Sequence, residues 1–125
     1  MNGLTRENSS TIAFIVNCYL SNSISTDELQ QWATRIMEST GEYPDYIVEL
    51  LSFDAPRFHI YKAIGFSPSR RFTNQESEAI FGITYLRNRV AFDGPTKECA
   101  INSLHMNQTI LTEFRTAFPF IQIAV

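Results

Sequence analysis

The sequence has few of the residues from which most active sites are built. It holds two cysteines and two histidines among 125 residues. Cys18 and Cys99 are too few and too far apart for a disulfide framework or a zinc site. They read as buried thiols of a reducing compartment. Neither His59 nor His105 has a cysteine, carboxylate or second histidine at a metal-ligand spacing. His105 falls near the end of an expected helix, where a cation has a structural use. Five glycines leave little material for a phosphate-cradling loop, and no GxSxG, HExxH or CxxC motif occurs. No apolar run approaches the roughly 20 residues of a membrane span. The first ten residues, MNGLTRENSS, lack the basic-then-apolar order of a signal peptide. The expectation is a cytoplasmic protein with no cofactor, no metal and no membrane partner.

Basic charge is also scarce. Ten lysines and arginines face thirteen acids, giving a net charge of −3. Nucleic-acid binding needs a basic footprint, and Arg70-Arg71, the only compact basic spot, is too small to supply one. A neutral or basic partner suits this balance better. The 44% hydrophobic and 18% charged fractions are those of an ordinary globular chain. At this length one domain, 1–125, is expected, with 1–8 polar and loose and about two-thirds of the unfolded surface buried. Ten phenylalanines and five tyrosines supply a core or a binding surface.

The pattern predicts an all-α protein of five to seven helices around a central helical hairpin at Ser25–Phe53. Ser25 and Glu28 make a capping box. Leu29, Trp32, Ala33, Ile36 and Met37 then recur at helical spacing on one face. Gly41 suits the left-handed residue that closes a helix. Pro44 fits the first turn of a second helix, whose apolar side is Ile47, Val48, Leu50, Leu51 and Phe53. Before the hairpin, Ser9 or Ser10 can cap a helix over 11–20 with Ile12, Ile15, Val16, Tyr19 and Leu20 inward. The β-branched residues there leave a strand open. Ser21–Ser25 reads as a short polar connection.

After the hairpin, Asp54 and Pro56 start a short helix with Phe58, Tyr61 and Ile64 inward, ending at Gly65. Thr73 and Glu76 repeat the capping-box spacing and open the longest expected helix, 74–90, with Ala79, Ile80, Ile83, Leu86 and Val90 as its stripe. Glu76 and Glu78 at its start and Arg87 and Arg89 at its end suit the helix macrodipole. Helices follow at 96–105 and, capped by Asn107, at Ile110–Phe118, where Pro119 stops the last one. Residues 120–125, FIQIAV, are strand-like in composition without a partner strand, so a short extended segment is expected.

Six residues form a candidate partner-binding surface: Glu42, Tyr43, Asp45, Tyr46, Glu49 and Asp54. Asp45 and Glu49 are four apart on one outward helix face, a like-charge pairing that costs a few tenths of a kcal/mol. A solvated acidic face is the slightly favoured account of them, since such faces are usual on soluble helices. As a function, such a face complements a basic cleft, where opposite charge raises the on-rate and sets specificity. Tyr43 and Tyr46 interleave with the acids, as tyrosines do at interface centres.

The stretches DELxxWAxxIME (27–38) and YPxYIxELLxFD (43–54) resemble the small helical immunity proteins of bacterial contact-dependent growth inhibition (CDI) systems. The resemblance covers about a quarter of the chain and rests on helix-forming and core residues. It implies a cytoplasmic, non-enzymatic protein in a tight heterodimer with a cognate toxin domain. That toxin is expected to be a basic nuclease acting on RNA or tRNA, neutralised by covering its active site. No toxin-contact residue carries over from the resemblance. Two other classes stand beside it. One is a helical adaptor with an aromatic groove around Trp32 and Phe58. The other is an enzyme with His59 or His105 in a pocket beside a carboxylate.

Overall fold

The computed structural model describes residues 3–123. Its regular elements are α1 (Ser10–Leu20), α2 (Thr26–Thr40), α3 (Tyr46–Leu51), α4 (Ile60–Ile64), α5 (Asn74–Leu86), α6 (Lys97–Met106) and α7 (Gln108–Ala117). A tighter 3-10 turn, Arg57–His59, runs directly into α4. No strand occurs among the described residues, so the fold is all-α and 10–20 is helix. No helix among them is long and apolar enough to cross a membrane. By internal contacts they form two compact units. The first runs up to Leu20 and resumes over Ser25–Arg70; the second holds Ser21–Ile24 and the chain from Arg71 onward.

In the first unit α1 is the deepest element. Ile12, Ala13, Phe14, Ile15, Val16, Cys18 and Tyr19 are all buried. A helix apolar nearly all round is a core helix, and burial overrides the weak strand preference of its β-branched residues. Leu20, expected inward, is 37% exposed. The amide N–H groups that start α1 are satisfied from upstream: the Gly3 carbonyl accepts from Thr11 and Ile12, both at 3.0 Å. The hydroxyl of Ser9 is engaged elsewhere, donating to the Ser69 carbonyl and accepting from the Ser69 amide at 2.7 Å. In the segment expected to be loose, Gly3 and Leu4 are buried and residues 5–8 are exposed. Leu4 is buried, its carbonyl accepts from the Tyr46 hydroxyl, and Arg6 donates to the Gly65 carbonyl. Met1 and Asn2 lie outside the described residues.

α2 follows its sequence signals closely. Ser25 Oγ accepts from the Glu28 amide at 3.1 Å, and the Glu28 carboxylate accepts from the Ser25 amide at 2.8 Å. Gly41 closes the helix at φ 68°. Leu29, Trp32, Ala33 and Ile36 are buried and Met37 is half-buried. α3 packs on α2 but starts later than expected. Pro44 stays outside the helix, its carbonyl accepting from the Ile47 amide at 3.1 Å. Tyr46, Ile47 and Leu50 face inward, whereas Val48 is 48% exposed.

The largest departure is at α4. Ile60 and Ile64 are buried, while Phe58 is 67% and Tyr61 40% exposed. The cause is local geometry. Pro56 is extended and Arg57–His59 turns at three residues per turn, so the following helix enters with a shifted register. Arg57 is itself fixed, donating to the Tyr19 carbonyl at 2.6 Å and lying over the Tyr19 ring.

In the second unit α5 and α6 pack closely enough to need a glycine. A Cβ on Gly82 would lie 2.6 Å from the Ala100 carbonyl oxygen and 2.9 Å from the Leu104 Cβ. The Thr73–Glu76 capping box opens α5, but the helix ends at Leu86, shorter than α2. Asn88 takes the left-handed conformation at φ 57°. The Asn88 amide bonds to the Tyr85 carbonyl and the Arg89 amide to that of Thr84. This is a Schellman stop with asparagine in the usual glycine position. It leaves Val90, expected in the stripe, 60% exposed.

Ser21–Ile24, expected as a plain polar connection, is an integral part of this unit. Ser23 Oγ donates to the Ile80 carbonyl at 2.9 Å and lies 2.8 Å from Thr84 Oγ1, which donates to the Ser21 carbonyl at 2.8 Å. Arg87 donates to the Ser23 carbonyl at 2.6 Å, and Arg89 to the Asn22 carbonyl and side-chain oxygen at 2.7 Å each. The two arginines thus hold backbone as well as suiting the helix end. Asn107, expected to cap α7, turns its side chain to the Ser103 carbonyl instead. α7 buries Ile110, Leu111 and Phe114, and Phe118 stacks against Phe114 at 4.8 Å. Residues 120–123 carry no regular structure, with Ile121 buried; Ala124 and Val125 lie outside the described residues.

Candidate functional site

The acidic candidates fall on one unit, and the structure separates them into three groups. Glu42 and Asp45 are exposed at the entrance to α3, with Tyr43 half-buried between them. Glu49 and Asp54 come together with His59 and Lys62 around an open depression of about 360 Å³, whose lining also includes Ser52, Phe53, Ala55 and Ala63. Tyr46 belongs to neither group. It is 6% exposed, its hydroxyl donates to the Leu4 carbonyl, and its ring meets Phe66 edge-on at 5.8 Å. Tyr46, expected to meet a partner, is turned into the core of its own unit by the first turn of α3. Asp45 sits at the N-cap position of α3 without a side-chain capping bond.

Burial alone pushes the Tyr46 phenol well above its ordinary pKa of 10.0. In the unfolded chain the phenol ionises near pH 10; in the folded chain it ionises only at higher pH. The stability it contributes is thus complete below pH 10 and falls as pH rises beyond that value. The slope is at most about 1.4 kcal/mol per pH unit. Tyr46→Phe is expected to cost about 1 kcal/mol at neutral pH, from the orphaned Leu4 carbonyl. It should also flatten the alkaline decline in denaturant midpoints. An unchanged decline would mean that other tyrosines produce it.

Among the described residues, the side chains of Glu49, Asp54 and Lys62 make no hydrogen bond or ion pair. The imidazole of His59 touches one neighbour, the Phe58 ring, edge-on at 4.5 Å. Phe58, the most exposed aromatic residue of this unit, adjoins that lining through His59 but is not itself part of it. The lining therefore mixes two unpaired carboxylates with Lys62, His59 and Ser52 and the apolar side chains of Phe53, Ala55 and Ala63. Its histidine makes no hydrogen bond to either carboxylate. The enzyme alternative expected His59 in a pocket beside a carboxylate, and His59 does line this depression with Glu49 and Asp54; Lys62 was not anticipated. The i, i+3 spacing of Phe58 and Tyr61 imitates a core stripe, and only the 3-10 turn reverses it.

A second depression, in the other unit, is lined by Thr96, Glu98, Cys99, Asn102, Ser103 and Met106. Cys99, expected to be buried, is exposed, whereas Cys18 is buried as expected. The Cys99 thiol donates to Glu78 Oε2 at 3.1 Å, and the Ser103 hydroxyl donates to Glu78 Oε1 at 3.2 Å. The bond to that carboxylate, aided by partial desolvation and by the charges of Glu78 and Glu98, raises the thiol pKa. A protonated thiol is a poor nucleophile. Iodoacetamide should therefore label Cys99 slowly in the native protein and Cys18 only after denaturation. Glu78→Gln is expected to speed Cys99 labelling several-fold at pH 8, and equal rates would show that Glu78 does not hold the proton. Among the described residues no group of three or more histidine, cysteine or acidic side chains could hold a metal ion.

No protein-family model matches the chain, and no curated protein or solved structure matches it. Function is therefore argued from the site alone.

Proposed function

We propose that the chain is an immunity protein of a contact-dependent growth inhibition system. It binds a cognate toxin domain in the cytoplasm, in a tight heterodimer, and neutralises it by covering the active site. On this reading the toxin is a basic nuclease acting on RNA or tRNA. The chain itself performs no chemistry and contacts neither nucleic acid nor membrane. The observation that carries the reading is the depression lined by unpartnered, exposed Glu49 and Asp54, with exposed Phe58 next to its lining residue His59. Carboxylates complement the cationic surface that a nuclease presents to phosphates, and exposed aromatic residues are the usual anchors of interfaces. Glu42 and Asp45 extend the same charge along the entrance to α3.

The test is capture from the source bacterium on the tagged chain, followed by co-expression of whatever is recovered. A stoichiometric C-terminal toxin fragment whose lethality the chain suppresses would support the proposal. A housekeeping protein, or a toxin that still kills, would contradict it. The adaptor alternative loses its groove at Trp32, which is 1% exposed, but keeps the exposed Phe58, Tyr61 and Val48. A partner bound through an apolar peptide, insensitive to salt, would favour that alternative.

A further inference from the structure

Residues 3–9 make contact with α1, α3 and the end of α4 from one short segment. Gly3 and Leu4 are buried at its start and Ser9 at its end, with exposed residues between them. The middle closes on itself: the Thr5 amide donates to the Asn8 carbonyl at 3.0 Å, and the Asn8 amide to the Thr5 hydroxyl at 3.1 Å. The Gly3 carbonyl fixes the segment to α1 by accepting from the amides of Thr11 and Ile12. The Leu4 carbonyl joins it to α3 by accepting from the buried Tyr46 hydroxyl. Arg6 joins it to the end of α4, donating to the Gly65 carbonyl at 3.2 Å and lying over the Phe66 ring at 5.2 Å. Phe66 in turn meets Tyr46 edge-on, which closes a circuit through the segment, α3 and the end of α4.

We propose that residues 3–9 are a strap that holds α3 and α4 in the arrangement of the candidate binding face, so that the three open and close together. The inference rests on the function proposed above and adds a control over the same face. That face needs both helices: Glu49 and Ser52 come from α3 and its C-terminal end, Lys62 and Ala63 from α4. Neither helix can stand alone. α3 has six residues and α4 five, and no side-chain hydrogen bond caps the start of either. Helices so short persist only where tertiary contacts hold them. The strap is itself delicately seated. Gly3 takes a left-handed φ of 85°, and a Cβ there would lie 2.7 Å from the Thr11 amide nitrogen, so glycine alone fits. Segments with few buried contacts and exposed hydrogen bonds open before the whole molecule does. A partner that needs both helices in place would therefore hold the strap closed.

Amide hydrogen exchange of the full chain, free of any partner, tests the strap. The amides of Thr11 and Ile12, bonded to Gly3, report the strap; those of Val48 and Gly65, bonded to Asp45 and Tyr61, report α3 and α4. In the parent protein all four should share one opening free energy, and should exchange faster than Ala33 and Ile36 in the middle of α2. Gly3→Ala unseats the strap, Tyr46→Phe cuts its bond to α3, and Arg6→Ala its bond to α4. Each should speed all four amides together, by about fivefold for a lost hydrogen bond. Should Gly3→Ala fail to fold, the other two variants decide. Acceleration at Thr11 and Ile12 without Val48 and Gly65 would overturn the inference, as would four parent amides no faster than those of α2. Because no partner is present, that failure removes the strap and leaves the immunity reading standing. A chain that protects against no toxin removes the immunity reading and leaves the exchange result standing.

Discussion

Gly82→Ala is expected to destabilise the second unit by about 2 kcal/mol, although alanine is the better helix former. In isolation the exchange would stabilise α5 by about 1 kcal/mol. Here the added methyl would sit 2.6 Å from the Ala100 carbonyl oxygen and 2.9 Å from the Leu104 Cβ. The first of these atoms is helix backbone and cannot rotate away. α5 and α6 must separate, loosening Ala79, Ile80 and Ile83 against Ala100 and Leu104, all of them buried. Overpacking of this kind costs typically 1–3 kcal/mol. Gln75→Ala, exposed in the first turn of the same helix, should change stability by less than about 0.5 kcal/mol. Urea unfolding of the two variants checks the pair. A Gly82→Ala protein as stable as the parent would show that the two helices do not touch backbone to side chain as described.

The second large effect is on binding. Reversing Glu49 and Asp54 together to lysine should weaken partner binding at least about 100-fold and leave thermal unfolding nearly unchanged. The stability half follows from exposure and the lack of partners: nothing in the fold depends on these carboxylates. The binding half follows from like-charge contact, since lysines would then face a basic surface. Reversing Asp45 with Glu49 should weaken binding less, because Asp45 stands outside the depression. Reversing Glu98, exposed on the other unit, should leave affinity within about twofold. Titration calorimetry of each variant against the captured toxin separates these cases. Equal losses from all three changes would mean that net charge, and no particular face, governs affinity.

The parts of this fold that were legible in the sequence are those fixed by neighbours three or four residues away. Ser25 with Glu28 and Thr73 with Glu76 form the capping boxes their spacing predicts, and Gly41 and Gly65 end their helices in the left-handed conformation. What was hidden depends on distant partners. α1 shows no period because it is buried nearly all round, so the amphipathic hairpin looked more important than the core helix. Ser21, Ser23 and Thr84 look like surface residues until their hydroxyls and carbonyls meet 57 to 63 residues apart along the chain. Asn88 ended α5 early because asparagine also tolerates positive φ, a signal weaker than glycine.

The candidate site divides in the same way. The acids were visible as charges, Asp45 and Glu49 on one helix face with Glu42 and Asp54 flanking it. Their gathering around His59 and Lys62 was not visible, because it needs α3 and α4 side by side. Phe58 was read as core, and the tight turn before α4 put it outside. Tyr46 was read as surface, and the first turn of α3 put it inside. Both errors come from register: one residue of rotation, about 100° on a helix, exchanges a core position for a wet one.

Hydrogen exchange of the chain, alone and bound to its captured partner, tests the central claim most directly. The account predicts slowed exchange across 45–63, the segment carrying Glu49, Asp54, Phe58 and His59, with the second unit unaffected. Protection confined to the second unit, or none in 45–63, would contradict it.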